Sequence, residues 1–271
     1  MISVVILGAG NVATHLFSAF NNSDSVSVIQ WFNRNISSLK SYKNRVEITD
    51  DLSQLKEADL YIIAVSDDAI SSLSSQFLFE NRLVVHTSGT VNIHDLDKKN
   101  RRGVFYPLQT FSKNATLDFA DVPICIEAID KSDLSTLKVL SKAIGSPYHR
   151  VSTNQRKALH LAAVFVNNFT NQLYRVAHEI TEAEGVEFDI LKPLILETAK
   201  KVQNLSPYMA QTGPAKRKDK KTIKKHLDLL KKEQHKAIYE LLTASIQQTH
   251  GVLTDPRTHS KKNKIHGRKK L

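Results

Sequence analysis

The fold of this 271-residue chain is decided by the stretch Ser3-Val-Val-Ile-Leu-Gly-Ala-Gly-Asn-Val-Ala13. An apolar run typical of a buried strand leads directly into the pattern G-x-G-x-x-A. In this pattern Gly8 permits a tight turn, Gly10 lets the backbone approach a pyrophosphate, and Ala13 lets a helix pack closely on the strand. The first N–H groups of that helix stay free for the anion. A tight turn without a ligand is the alternative, which the context disfavours. We therefore predict that a dinucleotide is bound by Gly8, Ala9, Gly10, Asn11 and Val12.

Outward from this stretch, short β-branched apolar runs alternate with helical spacing as far as Val151, which is typical of a parallel sheet wrapped by helices. Strands are predicted at Ser3–Leu7, Val26–Phe32, Val46–Thr49, Leu60–Val65, Leu83–Thr87, Gly103–Tyr106, Pro123–Glu127 and His149–Val151. Helices between them are predicted at Val12–Phe20, Ile36–Tyr42, Leu52–Lys56, Ala69–Phe77 and Leu134–Ile144.

After Val151 only helical patterns remain. A capping box of Ser152 and Gln155 opens a helix that runs to Glu184. Three more helices are predicted at Ile190–Leu205 (capped by Asp189), Thr222–Gln234 and Ala237–Gln248. The predicted fold is α/β, a doubly wound and mainly parallel Rossmann sheet followed by an all-α C-terminal domain. We expect a dinucleotide-binding domain at 1–151, a helical domain at 152–250 and a basic tail at 251–271.

The composition, with 41% hydrophobic and 24% charged residues, is that of a soluble globular protein. No apolar run is long enough to cross a bilayer, and the first residues resemble a strand rather than a signal peptide. The single cysteine, Cys125, excludes a disulfide framework and a cysteine-based zinc cluster. We therefore expect a cytoplasmic protein that binds neither a membrane nor a metal.

The net charge of +11 is concentrated at the end of the chain. From Lys216 onward there are 17 Lys and Arg against five Asp and Glu, whereas the first 215 residues carry a net charge of −1. Such a tail can bind nucleic acid weakly and non-specifically. A solvated extension is the favoured interpretation.

The end of the second predicted strand, Trp31-Phe32-Asn33-Arg34-Asn35, indicates which dinucleotide is bound. An NAD site usually has a carboxylate there for the ribose hydroxyls, and this stretch has none. A guanidinium pairs well with a 2′-phosphate, so Asn33 and Arg34 predict NADP(H). The alternative is that Arg34 is an ordinary exposed residue.

Two further strand ends should lie at the same edge of the sheet, where ligands of such folds bind. We predict that Ala64, Val65 and Ser66 line the cofactor, and that Ser88 and Gly89 permit a close approach of the nicotinamide ring. His86, within a strand, is expected to be a buried, hydrogen-bonded histidine, and a catalytic group is the alternative.

The long helix after Ser152 carries a polar stripe, because His160, Asn167 and Asn171 fall within about 20° of one line, with Asn168 beside it. We predict that His160 donates a proton, since imidazole titrates near neutrality, and that Asn168 orients the substrate. A structural role is the alternative for each. Further candidate substrate contacts are Gln109, Asn167, Thr212 and Arg217, the last two in a turn that could equally be a plain connector.

Six motifs together resemble one family, which pairs a Rossmann-like N-terminal domain with a helical C-terminal domain of unknown function. They are Gly8-Ala-Gly-Asn-Val-Ala, Ala64-Val-Ser-Asp-Asp-Ala-Ile, His86-Thr-Ser-Gly, Tyr106-Pro-Leu-Gln-Thr-Phe, His160-Leu-Ala-Ala-Val-Phe-Val-Asn-Asn-Phe and Gln211-Thr-Gly-Pro-Ala-Lys-Arg-Lys-Asp. The layout is more distantly similar to pyrroline-5-carboxylate reductase, the deazaflavin-dependent NADP reductases and the 6-phosphogluconate dehydrogenase group. The family often has His where this chain has Tyr106.

The resemblance implies an NADP-dependent reductase that dimerises through its helical domain and completes its active site there. We therefore expect an NADP(H)-dependent oxidoreductase acting on a small carbonyl or imine substrate. The alternative is an NADP(H)-binding redox sensor or regulator without turnover.

Overall fold

The computed structural model describes residues 1–113 and 115–251, and the chain divides into two compact units between Thr170 and Asn171. The first unit contains one eight-stranded sheet. Its strands are β1 (Ile2–Leu7), β2 (Val26–Phe32), β3 (Glu47–Thr49), β4 (Leu60–Ile63), β5 (Leu83–His86), β6 (Arg101–Pro107), β7 (Ile124–Ala128) and β8 (Tyr148–Arg150). Their order is β3-β2-β1-β4-β5-β6-β7-β8, and all neighbours are parallel except β6 and β7.

Four α-helices belong to the first unit. They are α1 (Asn11–Asn21), α2 (Asp67–Ser75), α3 (Asp133–Ala143) and α4 (Thr153–Ala163), and a wider π-helical turn at Val164–Phe169 follows α4. The predicted helices at Ile36–Tyr42 and Leu52–Lys56 are instead 3-10 turns, Ile36–Tyr42 and Leu52–Gln54. Asn35 and Asp51 cap these two turns, because each side chain accepts the backbone N–H two residues later. All eight predicted strands and the predicted fold class are confirmed.

The sheet is buried on both faces, as its near-continuous apolar strands predicted. On one face, Leu16 and Phe17 of α1 and Leu137 of α3 pack over alternate strand residues such as Ile6 and Ile62. On the other face, Ile70 of α2 and Phe77 pack over the intervening residues. Side chains that alternate along each strand therefore supply two separate cores, and the strands must lie between two layers of helices.

The second unit is helical. Its elements are α5 (Thr170–Ala183), which begins one residue before the unit, a 3-10 turn at Phe188–Leu191, α6 (Lys192–Asn204), α7 (Pro207–Ala210), α8 (Pro214–Arg217), α9 (Lys220–Leu229) and α10 (Glu233–Gly251). The prediction that Asp189 caps a helix was wrong. Asp189 lies inside the 3-10 turn, where it binds the Lys192 ammonium group at 2.7 Å, and the N-cap position of α6 is Leu191 because the helix begins only at Lys192.

The contact boundary after Thr170 lies later than the change of sequence pattern at Ser152, where the capping box is confirmed. The reason is Arg156 on α4, which is fully buried and bonds to the carbonyl oxygens of Ser88 and Val91. These bonds tie α4 to the sheet. The last helix extends to Gly251, and the rest of the predicted basic tail lies outside the described residues. Within residues 1–113 and 115–251, no helix is both long and apolar enough to cross a membrane.

Candidate functional site

A cleft of about 1640 Å³ opens in the first unit, where the carboxyl ends of β1, β2, β4, β5 and β6 meet the start of α1 and the end of α4. This is the edge at which open α/β sheets bind ligands. Fourteen predicted site residues line it. They are Gly8, Ala9, Gly10, Asn11, Val12, Asn33, Arg34, Ala64, Val65, Ser66, Gln109, His160, Asn167 and Asn168.

The turn between β1 and α1 has the features of an anion site. Gly8 has a φ of +113°, and a Cβ there would lie 2.2 Å from the Ala64 carbonyl oxygen, so the turn requires glycine. At Gly10 a Cβ would meet no atom within 4 Å, so the backbone borders open space. α1 has no side-chain cap and no acidic residue in its first turn. Its first N–H groups are therefore open to an anion, and these residues fit a pyrophosphate.

The outer end of the cleft follows β2. The Asn33 side chain donates to the carbonyl oxygen of Asn35 at 2.8 Å, so Asn33 shapes the turn, and Arg34 is exposed on the cleft. Three cleft residues here were missed by the sequence analysis: Ser38, Asp50 and Asp51. Hydrogen bonds from the Ser53 hydroxyl and backbone lower the pKa of Asp51 and hold its carboxylate in a turn. Arg34 is the only cation among the described residues that line the cleft.

The inner end of the cleft contains a tyrosine–histidine pair. Tyr106 Oη lies 3.0 Å from Nδ1 of His160, and the two rings are nearly edge-on at a centroid distance of 6.1 Å. Burial, and secondarily the neighbouring Cys125, raises the pKa of Tyr106 to about 12. The phenol therefore keeps its proton at neutral pH. The sequence analysis had noted Tyr106 only as a departure from a family pattern.

The prediction for Ser88 and Gly89 needs correction. Thr87 lines the cleft, whereas these two residues do not. The Ser88 hydroxyl accepts the backbone N–H groups of Thr90 and Val91, which folds the chain back after β5. This turn places Gly89 against His160, because a Cβ at Gly89 would lie 2.5 Å from Nδ1. Its small size thus makes room for the imidazole.

His86 is buried and hydrogen-bonded, as predicted. Its Nδ1 accepts the backbone N–H of Ser88 at 3.1 Å. Burial, with a smaller contribution from the Arg156 charge, lowers the pKa of His86 to about 3. The ring is therefore neutral throughout the physiological range, and it does not line the cleft.

The predicted polar stripe on the long helix is only partly reproduced. His160, Asn167 and Asn168 line the cleft, but the two asparagines are exposed rather than buried. They lie in the π-helical turn Val164–Phe169, a feature that often occurs at functional sites. Asn171 belongs to the second unit and borders a small hollow beside Tyr174.

Thr212 and Arg217 lie in the second unit. Arg217 ends the short helix α8 and is exposed, as is Thr212. Their assignment as substrate contacts stays a prediction. Within residues 1–113 and 115–251, no group of three or more His, Cys, Asp and Glu side chains could hold a metal ion.

Two family descriptions match the chain. Residues 3–89 match the family described as NADP oxidoreductase, coenzyme F420-dependent. Residues 122–246 match a domain of unknown function, DUF2520. No curated protein matches the chain.

Several solved structures are similar over almost the whole chain. A Bacteroides fragilis protein whose name describes it as an NADP oxidoreductase is 37% identical to this chain. The match covers 91% of this chain and 98% of that chain, with a TM-score of 0.82. An imine reductase from Streptomyces aurantiacus is 12% identical, with coverage of 91% and 93% and a TM-score of 0.69. A 1-pyrroline-5-carboxylate reductase from Streptococcus pyogenes is 11% identical, with coverage of 93% and 99% and a TM-score of 0.61. The last two likenesses concern the fold alone.

Proposed function

The chain belongs to the family that joins an NADP oxidoreductase domain to the domain of unknown function DUF2520. We propose that it is an NADP(H)-dependent oxidoreductase acting on a small carbonyl or imine compound. One observation carries the proposal. The open N-terminus of α1 and the Tyr106–His160 pair border the same cleft, so an anion site and a proton donor lie in one cavity.

Two parts of the cleft would hold the cofactor. The glycine turn from Gly8 to Val12 would bind the pyrophosphate through backbone N–H groups. Arg34 and the Ser38 hydroxyl would bind the 2′-phosphate, which an exposed guanidinium is suited to do. Ala64 and Ser66 at the end of β4 would border the cofactor between these two ends.

The inner end of the cleft would bind the substrate. NADPH, when bound, would supply the hydride for the carbonyl or imine carbon, and the oxygen or nitrogen would take up a proton to give the alcohol or amine. His160 would hold that proton and pass it on. The amides of Asn168, Asn167 and Gln109 would orient the substrate by hydrogen bonds.

The cofactor can be tested with the single tryptophan, Trp31. Its indole N–H donates to the Gly8 carbonyl oxygen at 2.6 Å, directly beneath the turn proposed for the pyrophosphate. We expect NADPH to quench Trp31 saturably and to bind more tightly than NADH. Absence of binding by either nucleotide would overturn the proposed function.

The NADP preference is tested with Arg34→Ala. Removing a charged hydrogen bond of about 1.5–3 kcal/mol should weaken NADPH binding by roughly 10- to 150-fold and leave NADH binding unchanged. The control is Lys40→Ala, which removes an exposed charge from the same turn outside the cleft. Equal loss of NADPH affinity in both variants would contradict the assignment of Arg34.

Turnover distinguishes an enzyme from a sensor. His160→Ala should keep NADPH affinity and abolish NADPH oxidation with whichever keto or imino compound is active in a screen. NADPH binding without reduction of any such compound would contradict the proposed turnover and favour the sensor alternative.

The proposed assembly is a homodimer formed through the helical unit. Large apolar side chains lie exposed along its helices, including Ile190, Leu194 and Leu241. These exposed side chains support the proposal, because a contiguous apolar patch is typical of an interaction surface. A second copy is the partner that the resemblance to dimeric reductases implies.

A further inference from the structure

The His160 ring is held at one of its two nitrogens. Tyr106 Oη lies 3.0 Å from Nδ1 on one side. On another side is Gly89, where a Cβ would come within 2.5 Å of Nδ1 and 2.8 Å of Cγ. Nδ1 therefore has no space left for a substrate atom, and Nε2 is the nitrogen that remains for one.

The direction of the hydrogen bond decides which nitrogen carries the proton. Burial raises the pKa of Tyr106 to about 12, so its hydroxyl is protonated at neutral pH and can donate to the nitrogen beside it. Among the residues that the structure describes, His160 is the only hydrogen-bond partner of this hydroxyl. A phenol that donates to Nδ1 leaves that nitrogen as an acceptor, and the ring proton must then lie on Nε2.

The position of Gly89 is itself held by buried bonds. The Arg156 guanidinium, which is fully buried, donates to the carbonyl oxygens of Ser88 and Val91 at 2.9 Å each. The segment on either side of Gly89 is thus tied to α4, the helix that carries His160. The glycine and the imidazole are brought together by the same pair of elements.

We propose that Tyr106 is a positioning residue that holds His160 as the Nε2–H tautomer, with Gly89 providing the space in which the ring lies. This tautomer presents a proton donor, rather than an acceptor, to the inner end of the cleft. Its catalytic use rests on the proposed function, whereas the tautomer itself does not.

The tautomer can be measured in the full chain without any ligand. In a long-range ¹H–¹⁵N correlation spectrum recorded about two units above the ordinary histidine pKa, an unprotonated ring nitrogen resonates far downfield of a protonated one. The His160 signals are those lost in His160→Gln. We expect the downfield signal at Nδ1, and a downfield Nε2 would overturn the proposal.

Tyr106→Phe removes only the hydroxyl. We expect the ratio of the two His160 tautomers to fall by about two- to tenfold, the worth of one hydrogen bond, so both ring nitrogen shifts move toward their mean. Tyr148→Phe, on β8 and outside the cleft, is the matched control and should leave them in place. Unchanged shifts in Tyr106→Phe would overturn the proposal.

The two proposals fail differently. If NADPH does not bind, the proposed function fails while the tautomer measurement still stands. If Tyr106→Phe does not fold, the wild-type spectrum alone decides the tautomer. Where a substrate has been found, Tyr106→Phe should lower kcat and leave the NADPH Kd unchanged, because the hydroxyl acts through His160.

Discussion

At the scale of single residues, Arg156 shows how one buried cation can hold a site together. Its guanidinium bonds to two carbonyl oxygens of the segment after β5 and to Glu127 on β7. Burial lowers the pKa of the guanidinium, because it disfavours the charged form. The hydrogen bonds and the Glu127 carboxylate offset this cost. The sequence offered no sign of this role, because an arginine in the first turns of an amphipathic helix is ordinarily exposed.

We predict that Arg156→Met destabilises the protein by about 3–5 kcal/mol, because it leaves the carbonyl oxygens of Ser88 and Val91 without this donor and removes the cation that faces Glu127. The measurement is the free energy of unfolding in urea. Arg82→Met is the control, since its pair with Glu57 is largely exposed and should contribute less than about 1 kcal/mol. Similar losses in both variants would show that the Arg156 bonds contribute little.

His86 gives a prediction about pH. The folded protein keeps this ring neutral down to about pH 3, whereas the unfolded chain takes up a proton near pH 6.5. The stability due to the neutral ring is therefore full above pH 6.5 and is lost as the pH falls toward 3. From about pH 7 to about pH 5 the loss should be about 2 kcal/mol.

His86→Asn tests this prediction, because asparagine keeps an acceptor near the position of Nδ1 but does not titrate in this range. The free energy of unfolding of this variant should fall less steeply between those pH values than that of the wild type. His149→Gln, at an exposed position on β8, should follow the wild-type curve. Parallel curves for His86→Asn and the wild type would contradict the assigned pKa.

At the scale of elements, the turn between β1 and α1 separates a structural glycine from a functional one. Gly8 is required by its positive φ and by the Ala64 carbonyl oxygen, whereas Gly10 has an ordinary backbone conformation and open space around it. The G-x-G-x-x-A motif of the sequence predicted that both positions need glycine. Only the tertiary contacts show that they serve different purposes.

We predict that Gly8→Ala lowers stability by at least about 1 kcal/mol, since it is strained in both backbone and contacts. Gly10→Ala should unfold like the wild type but bind NADPH at least tenfold more weakly, because its methyl group occupies space needed by the pyrophosphate. Urea unfolding and Trp31 quenching measure the two effects. Normal NADPH binding by Gly10→Ala would argue against this turn as the anion site.

In the long helix, the 3.6-residue periodicity of the sequence predicts only some of the side chains that line the cleft. The sequence predicted one continuous α-helix, and on that basis Asn171 shared a line with His160. The π-helical turn Val164–Phe169 widens the winding, so that the adjacent Asn167 and Asn168 both reach the cleft. No side-chain pattern signals such a turn, because its residues are those of an ordinary apolar helix.

At the scale of the whole molecule, exposed apolar side chains predict self-association. Leu161, Phe165 and Val166 near the end of the first unit are each at least 60% exposed, and Leu194 in the second unit is 62% exposed. We expect a dimer at micromolar concentration, measured by sedimentation velocity. Leu194→Glu should yield a monomer, since a charge in a buried apolar contact is costly.

The control for the dimer is Leu78→Glu. Leu78 is an exposed leucine next to the sheet of the first unit, and its replacement should leave the mass unchanged. A wild-type protein that sediments as a monomer at these concentrations would contradict the proposed assembly.

The fold class, all eight strands and the position of the glycine turn were predictable from the sequence. These features depend on local patterns: β-branched runs fill a sheet buried on both faces, and small residues are needed wherever the backbone turns tightly or approaches a ligand. The cleft residues at the ends of β1, β2 and β4 were also predictable, because the carboxyl ends of parallel strands lie at one edge of the sheet.

The contacts that Gly89 and Tyr106 make with the His160 ring were evident only from the tertiary structure. The sequence analysis assigned Ser88 and Gly89 to the cofactor. In the structure, the turn after β5 places Gly89 against the His160 imidazole, and Tyr106 on β6 contacts its Nδ1. These contacts join residues more than fifty positions apart, through distances that no local pattern encodes. The tautomer proposed for His160 therefore depends on the packing of the sheet against α4, which brings the Tyr106 hydroxyl to Nδ1.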